Sequence, residues 1–166
     1  KVENYSDLCS EVTDLLDQGN VIGWFQGRME FGPRGLGNRS ILANPKIEGM
    51  NNEVNRKIKF RESFRPLCPS VLEEDTTLYF RGKTKKSPYM TVTYDIISDD
   101  VLEQIPAVIH IDKTARIQTV NKDDNTLYYK LLKELKHLTG HGVVLNTSFN
   151  LANEPIVNTP KEAVAT

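Results

Sequence analysis

The chain reads Val-Val-Leu-Asn-Thr-Ser-Phe-Asn at residues 143–150, an apolar segment that runs directly into a polar motif. Three consecutive apolar residues, two of them β-branched, are typical of a strand that is buried on both faces. The motif that follows, Ser148-Phe149-Asn150, offers a hydroxyl group and an amide that can both donate and accept hydrogen bonds. We therefore expect a buried strand that delivers Ser148 and Asn150 to a ligand.

A second motif, Lys59-Phe60-Arg61, lies 89 positions earlier, and Arg65 follows it closely. Lys59, Arg61 and Arg65 can neutralise the charge of an anion. The hydroxyl of Ser148 and the amide of Asn150 can contact the same anion. The two motifs together predict a phosphate and nucleotide site with acyl-phosphate or adenylate chemistry, in which Lys59, Arg61, Ser148 and Asn150 are the candidate catalytic residues and Arg65 binds substrate. Taken alone, Ser148 and Asn150 also fit a purely local role in a turn.

A loop rich in glycine and arginine follows an apolar segment at residues 21–25. Residues 27–40 hold four glycines and three arginines, which suit close approach of backbone amides and paired donation to phosphate oxygens. The glycine spacing fits neither a Walker loop nor a dinucleotide fingerprint. Arg28, Arg34 and Arg39 are candidate ligand contacts, the alternative being buried arginines that bind carbonyl groups in tight turns, and we expect Glu30 to orient an arginine.

The hydrophobic pattern predicts a single α/β (α+β-like) domain over residues 1–166, with a twisted, mixed sheet flanked by helices. A helix capped by Ser6 covers residues 8–16 and stops at Gly19, and further helices are predicted at residues 51–58, 75–80 and 123–138 and from Thr159-Pro160 onward. Strands are predicted at residues 21–25, 67–72, 89–96, 107–111, 116–120 and 143–145.

Composition limits the classes of partner. The net charge is −1, yet residues 27–65 carry nine Lys or Arg against four Asp or Glu, which favours a small anionic ligand and argues against a long nucleic acid as partner. No apolar run approaches the ~20 residues that span a bilayer, so no membrane association is expected. Two cysteines, Cys9 and Cys68, indicate core residues rather than a disulfide framework, and the cytoplasm is the expected compartment.

Three further residues complete the candidate binding site. Asn146 and Thr147, just before Ser148, are expected to line it. His110 lies among apolar neighbours and is either a core imidazole or a ligand contact. No His, Cys or carboxylate group has the spacing of a metal site, so we expect no metal bound by protein side chains.

Much of the chain resembles the C-terminal domain of O-carbamoyltransferases of the NodU and antibiotic-tailoring type. The resemblance rests on co-linear segments whose order matches that family, at residues 27–40, 55–66, 69–72, 87–90, 114–120, 145–150 and 154–157.

The resemblance implies a YrdC-like domain in which the Lys-x-Arg and Ser-x-Asn motifs, here Lys59/Arg61 and Ser148/Asn150, act on ATP with its Mg²⁺ ion and on carbamoyl phosphate. Such a domain makes carbamoyl adenylate and releases pyrophosphate. It is normally fused behind an actin-like domain, which uses iron to pass the carbamoyl group to a substrate hydroxyl. The start at Lys1 and the helix cut short after Thr159-Pro160 agree with a fragment excised from such a protein, so iron is expected only in the missing N-terminal domain.

Three positions depart from the family pattern: Gly35 stands where Ala is expected, Lys113 where Gly is usual, and Asn153 near a common Gly. Lys113 and Asn153 could reshape a turn beside the site, but no residue assigned to chemistry is lost.

Two other functions are compatible with the sequence. A threonylcarbamoyl-adenylate synthase of transfer-RNA modification would share the fold but use threonine and bicarbonate. A noncatalytic RNA-binding or nucleotide-binding module would use the basic residues between Arg28 and Arg65 as an electrostatic surface, although the sequence lacks interleaved aromatic residues for base stacking.

Overall fold

The computed structural model describes residues 7–166. Eight strands form two sheets: β1 (Ile22–Phe25), β2 (Arg39–Ala43), β3 (Cys68–Leu72), β4 (Phe80–Arg81), β5 (Thr93–Ile96), β6 (Thr114–Arg116), β7 (Gln118–Val120) and β8 (Val143–Ser148). The α-helices are α1 (Leu8–Asp17), α2 (Met50–Glu53), α3 (Thr76–Tyr79), α4 (Asp100–Gln104), α5 (Thr126–Thr139) and α6 (Pro160–Ala165). A π-helix covers Val54–Ile58, and 3-10 turns cover Glu73–Asp75 and Pro106–Val108.

Strand β8 is the centre of the larger sheet, whose order is β1-β2-β8-β3-β7. It runs antiparallel to β2 and β3, while β3 and β7 are parallel. The register sets Ser40 opposite Ser148 and Cys68 opposite Asn146. The end of β8 that carries the polar motif is therefore flanked by β2 and β3, and the mixed sheet predicted from the sequence is confirmed.

Alternate residues of β8 face two different hydrophobic cores. Val143 and Leu145 pack into one core together with residues of the small sheet, β4-β5-β6, whereas Val144 packs into the other beneath α1 and α5. All three are almost fully buried. Because strand side chains alternate between faces, a continuous apolar run is what a strand between two layers requires.

Helices α1 and α5 cover one face of the larger sheet. Asp7 caps α1 through its carboxylate; the predicted cap, Ser6, lies outside the described residues. Asn125 caps α5, and Gly140 ends it in the left-handed conformation, as the Thr139-Gly140 pair predicted. The helix start predicted at the end of the chain is confirmed as α6, which begins with a capping box between Thr159 and Glu162.

Several predicted elements differ from the structure. Residues 107–111 do not form a strand, because a 3-10 turn at Pro106–Val108 leads into a turn that carries Lys113 at φ 61°. The strand predicted at residues 116–120 is two strands, since β6 and β7 belong to different sheets. The predicted helix at 51–58 changes from α to π geometry after Glu53, the strand predicted at 89–96 begins only at Thr93, and β2 and α4 were not predicted.

None of the helices within residues 7–166 combines the length and the apolar character needed to cross a membrane.

Candidate functional site

The two sequence motifs meet through the ammonium group of Lys59. Its Nζ atom donates to the carbonyl oxygens of Ser148 and Asn150 at 2.6 and 3.0 Å, and to Asn150 Oδ1 at 2.8 Å. The Ser148 hydroxyl lies 3.3 Å from the same nitrogen and donates to Asn150 Oδ1 at 2.7 Å. Residues 89 positions apart in sequence therefore form one polar cluster.

Local backbone geometry brings Lys59 to this position. The π-helix closes with a hydrogen bond from the Lys59 amide to Val54 O, and the next residue, Phe60, adopts a left-handed conformation at φ 46°. A bulky residue in this region is uncommon, and π-helical turns are frequent at functional sites. Lys59 is consequently 6% exposed, whereas Phe60 is 66% exposed.

Arg61 lies at the junction of two cavities. The smaller and less open of the two, which we call the enclosed cavity, has a volume of about 90 Å³ and is lined by Pro33, Arg34, Gly35, Arg61, Pro66, Leu67, Cys68, Met90, Arg116, Asn146, Thr147 and Ser148. The open cavity has a volume of about 370 Å³ and is lined by Lys59, Phe60, Arg61, Glu62, Arg65, Ser148, Asn150, Leu151, Ala152 and Asn153. Arg61 and Ser148 line both cavities, so a ligand in one lies next to a ligand in the other.

The cations of the two cavities lack acidic partners. Within residues 7–166, no carboxylate forms an ion pair with Arg34, Lys59, Arg61 or Arg116, whereas exposed Arg65 pairs with Glu62 at 2.8 Å. Burial, together with the charge of Arg61, lowers the pKa of Lys59 to about 8. Burial, followed by the charge of Arg65, lowers the pKa of Arg61. A bound anion would offset both effects.

Arg116 is a site residue that was not predicted. It ends β6, and one of its terminal nitrogens donates to Cys68 Sγ at 3.3 Å. Its Nε atom is buried and has no hydrogen-bond partner in the described part of the chain. The sequence signal was an arginine between two apolar residues, Ala115 and Ile117, both of which are fully buried in the structure. A cation among buried apolar residues needs a partner or a ligand, so this position could have been singled out.

The loop that carries Arg34 is fixed to the sheet by buried polar side chains. Gln118 on β7 donates to Leu36 O at 2.8 Å, and Asn146 on β8 donates to Gly35 O at 3.0 Å. Glu30 accepts hydrogen bonds from the backbone amides of residues 36, 38 and 39. Glu30 thus holds backbone amides, and its contact with an arginine, Arg39, is through the main chain and not through the guanidinium.

Not all three loop arginines reach the cavities. Arg34 lines the enclosed cavity, and Arg28 is exposed and lines neither cavity. Arg39 is 3% exposed; its guanidinium donates to the carbonyl oxygens of residues 26, 27, 38 and 158 and stacks 3.5 Å over the Phe25 ring. This is the carbonyl-binding arrangement given above as the alternative for these arginines.

Of the other predicted binding residues, Asn146 and Thr147 reach a cavity and His110 does not. Asn146 and Thr147 line the enclosed cavity, and the Asn146 amide also bridges to Ser70 and Gln118. His110 lines neither cavity; its Nδ1 atom lies 3.1 Å from Thr114 Oγ1, and burial lowers the pKa of the imidazole.

Both cysteines are buried free thiols, as their sequence context predicted, and Cys68 additionally lines the enclosed cavity. Among the described residues, no group of three or more His, Cys, Asp or Glu side chains is placed to hold a metal ion.

Two of the three departures from the family pattern lie at positions with a left-handed backbone. Lys113 and Asn153 adopt left-handed conformations at φ 61° and 64°, the region in which glycine is favoured. A Cβ atom on Gly35 would lie 2.6 Å from Arg39 O, so alanine there would require the loop to shift.

Comparison with known proteins gives consistent matches over nearly the whole chain. The family model described as carbamoyltransferase C-terminus matches residues 13–166. The nodulation protein NolNO of Sinorhizobium fredii is 40% identical over 100% of this chain and 25% of its own length. The 3'-hydroxymethylcephem-O-carbamoyltransferase of Amycolatopsis lactamdurans is 36% identical over 93% of this chain and 29% of its own length.

An uncharacterised protein of Synechocystis is 46% identical over 95% of this chain and 28% of its own length. The chain therefore spans between a quarter and three tenths of the length of these curated relatives.

Proposed function

The chain belongs to the carbamoyltransferase C-terminus family, and from this premise we propose that it activates carbamoyl phosphate with ATP to form carbamoyl adenylate. In a longer protein this step would be the first half-reaction of an O-carbamoyltransferase. The hydroxymethyl group in the name of the Amycolatopsis relative supports a hydroxyl as the final acceptor. The cytoplasm, where ATP and carbamoyl phosphate are both available, is the proposed compartment.

One observation carries this proposal: four cations without acidic partners in the described chain surround two adjoining cavities. Bringing two polyanions together costs Coulomb energy, which cations without acidic partners offset. A site for a single anion would not need two cavities joined by a shared arginine and a shared hydroxyl. The arrangement suits a reaction between two anionic substrates.

The shapes of the cavities suggest which substrate each one takes. The enclosed cavity, with Arg34 and Arg116, suits the small carbamoyl phosphate anion, and the larger open cavity, with Lys59 and Arg65, suits the nucleotide. Arg61 and Ser148 would then lie where the carbamoyl oxygen meets the α-phosphorus of ATP.

The proposed chemistry needs positioning and charge rather than a protein nucleophile. Water and carbamoyl phosphate give carbamate and inorganic phosphate. A carbamate oxygen then attacks the α-phosphorus, the bond to the β-phosphate oxygen breaks, and pyrophosphate leaves. Arg61 would stabilise the added negative charge during this displacement. The Ser148 hydroxyl would exchange its bond to Asn150 Oδ1 for one to an oxygen of the reacting phosphate.

Magnesium would arrive on the triphosphate. The side chains of residues 7–166 provide no cluster of metal ligands, so the phosphate oxygens and water would supply most of its coordination. Iron, if the longer protein uses it, would be bound by the additional domain that we propose precedes this one.

The test is pyrophosphate release from the chain with Mg-ATP and carbamoyl phosphate, in wild type and in Lys59→Met. Removing the Lys59 charge should slow release about 30-fold to 1,000-fold, because about 2–4 kcal/mol of transition-state stabilisation is lost. Ser148→Ala should also reduce release, and mass spectrometry should detect less carbamoyl-AMP adduct with Lys59→Met and Ser148→Ala than with wild type.

Lys57→Met is the matched control, because the Lys57 side chain is 71% exposed and its one ion pair among residues 7–166 is with Glu53. It removes the same charge two residues away and should leave the rate unchanged. Equal losses in the two variants would contradict the proposed role of Lys59.

The same assay separates the other functions. Release with threonine and bicarbonate in place of carbamoyl phosphate would assign the chain to transfer-RNA modification. Binding of RNA without any release of pyrophosphate would favour the noncatalytic module.

A further inference from the structure

Asn55 is completely buried, at 0% exposure, in the π-helix that precedes Lys59. Its side chain makes hydrogen bonds with three residues of the segment that carries the cations. Nδ2 donates to Ser63 O at 3.2 Å and to Arg65 O at 2.8 Å, and Oδ1 accepts from Arg61 Nε at 2.7 Å. The Asn55 carbonyl oxygen also accepts from the Arg61 amide at 3.0 Å. One side chain therefore fixes residues 61, 63 and 65.

Asn55 is the only partner of the Arg61 guanidinium within the described residues. Since this contact uses Nε, the two terminal nitrogens remain available to a ligand on the side of the two cavities. A free arginine side chain loses considerable rotamer entropy when it binds a ligand. Holding the guanidinium in advance reduces that loss.

The choice of an amide also has a chemical reason. An aspartate at this position could accept from Arg61 Nε, but it would neutralise the guanidinium and place a carboxylate against the carbonyl oxygens of Ser63 and Arg65. A neutral amide orients Arg61, preserves its charge and satisfies both carbonyl groups.

We propose that Asn55 is a positioning residue that holds the Arg61 guanidinium at the junction of the enclosed and open cavities without neutralising it. This inference rests on the proposed function, since it concerns the same anion site. It assigns a role to a buried residue outside the two sequence motifs.

A double-mutant cycle measures whether Asn55 acts through Arg61, with pyrophosphate as the probe and calorimetry as the readout. Asn55→Ala should weaken pyrophosphate binding about tenfold in the wild-type background and less than twofold in the Arg61→Gln background. Equal weakening in both backgrounds would show a general structural effect and overturn the proposal. Asn44→Ala is the matched control, because Asn44 is also buried but, in the part of the chain that the structure describes, its side chain bonds only the local Lys46 amide.

Asn55→Asp keeps the side-chain shape and serves if Asn55→Ala does not fold. It should retain the bond to Arg61 Nε yet weaken pyrophosphate binding, and unchanged affinity in the folded variant would overturn the proposal. Arginine Nε–H resonances in NMR give a readout without ligand: the Arg61 proton should exchange slowly in wild type and quickly in Asn55→Ala. If binding is coupled in this way but wild type releases no pyrophosphate from ATP, the positioning role stands and the proposed function fails.

Discussion

At the residue scale, the buried ammonium of Lys59 determines how the site responds to pH. Most lysines keep their charge well above pH 9, but burial and Arg61 lower the pKa of this one to about 8. Above that pH, the cluster loses the cation that ties Ser148 to Asn150. The same titration affects substrate binding and folding in opposite directions.

We expect kcat/KM for pyrophosphate release, which reports the free protein, to fall as pH rises through about 8, because the charged form of Lys59 is the active one. Stability changes with the opposite sign. The folded chain releases the Lys59 proton above about pH 8, whereas the unfolded chain keeps it up to the ordinary pKa of 10.5. The cost of burying a charged lysine therefore shrinks, and the free energy of unfolding rises between pH 8 and 9. Rates and urea midpoints at pH 7.5, 8.0, 8.5 and 9.0 check both signs.

Lys59→Met is the control for this pH dependence. It should remove the increase in stability between pH 8 and 9, because the titrating group is gone. A wild-type protein that loses activity and stability together over this range would indicate unfolding rather than titration of Lys59.

Single residues also show how far the sequence could predict the site. The pairing of Lys59 with Ser148 was predictable, because two short polar motifs next to apolar segments suggested one ligand. Arg116 was not, since its short strand resembles any edge strand until the fold sets it beside Cys68. Arg39 contains the same chemical group as Arg34, yet only the fold places one among carbonyl oxygens and the other at a cavity.

At the element scale, errors in the predicted strands have a common cause in the tertiary structure. Strand β2 begins with Arg39 and Ser40, polar residues whose burial depends on the loop above them, so local pattern did not reveal it. At Ile117 the chain passes from the small sheet to the large one, which sequence continuity concealed. Helices α1 and α5, by contrast, carry their own caps and apolar faces and were predicted well.

The arginine-rich loop depends on one close contact at Gly37. This residue has φ 99°, and a Cβ atom would lie 2.3 Å from the Tyr128 ring. Gly37→Ala should therefore lower the free energy of unfolding by about 3 kcal/mol or more, since backbone strain and overpacking act together. Urea denaturation measures the loss.

Comparison with Gly49→Ala separates the cost of the clash with Tyr128 from the cost of backbone strain. Gly49 has a similar positive φ of 78°, but no atom of the neighbouring described residues lies within 4 Å of the point that a Cβ atom would occupy. Its substitution should therefore cost only about 1 kcal/mol. Similar losses for the two variants would mean that the contact with Tyr128 contributes little.

At the scale of the whole molecule, the net charge of −1 conceals a locally positive site. Attraction of an anion should then depend on the four cavity cations that lack an acidic partner among the described residues, and not on total charge. The same reasoning explains why composition alone excluded few partners: a small basic site contributes little to an average over 166 residues.

Arg34→Gln and Lys122→Gln remove one positive charge each, but only Arg34 lines a cavity, and Lys122 is exposed elsewhere. Arg34→Gln should weaken pyrophosphate binding about tenfold at low salt and reduce its dependence on sodium chloride, whereas Lys122→Gln should change neither. Calorimetric titrations at 50 and 500 mM salt measure both effects. An equal response in the two variants would assign the attraction to net charge.

The polar side chains beneath the arginine-rich loop affect how fast a substrate can bind. Lifting residues 35 and 36 away would break the hydrogen bonds that the buried amides of Gln118 and Asn146 donate to the carbonyl oxygens of Leu36 and Gly35. We therefore expect this part of the loop to move with the sheet and the enclosed cavity to exist before any substrate arrives. Substrate binding at the enclosed cavity should then be limited by diffusion and electrostatic attraction and not by closure of this loop.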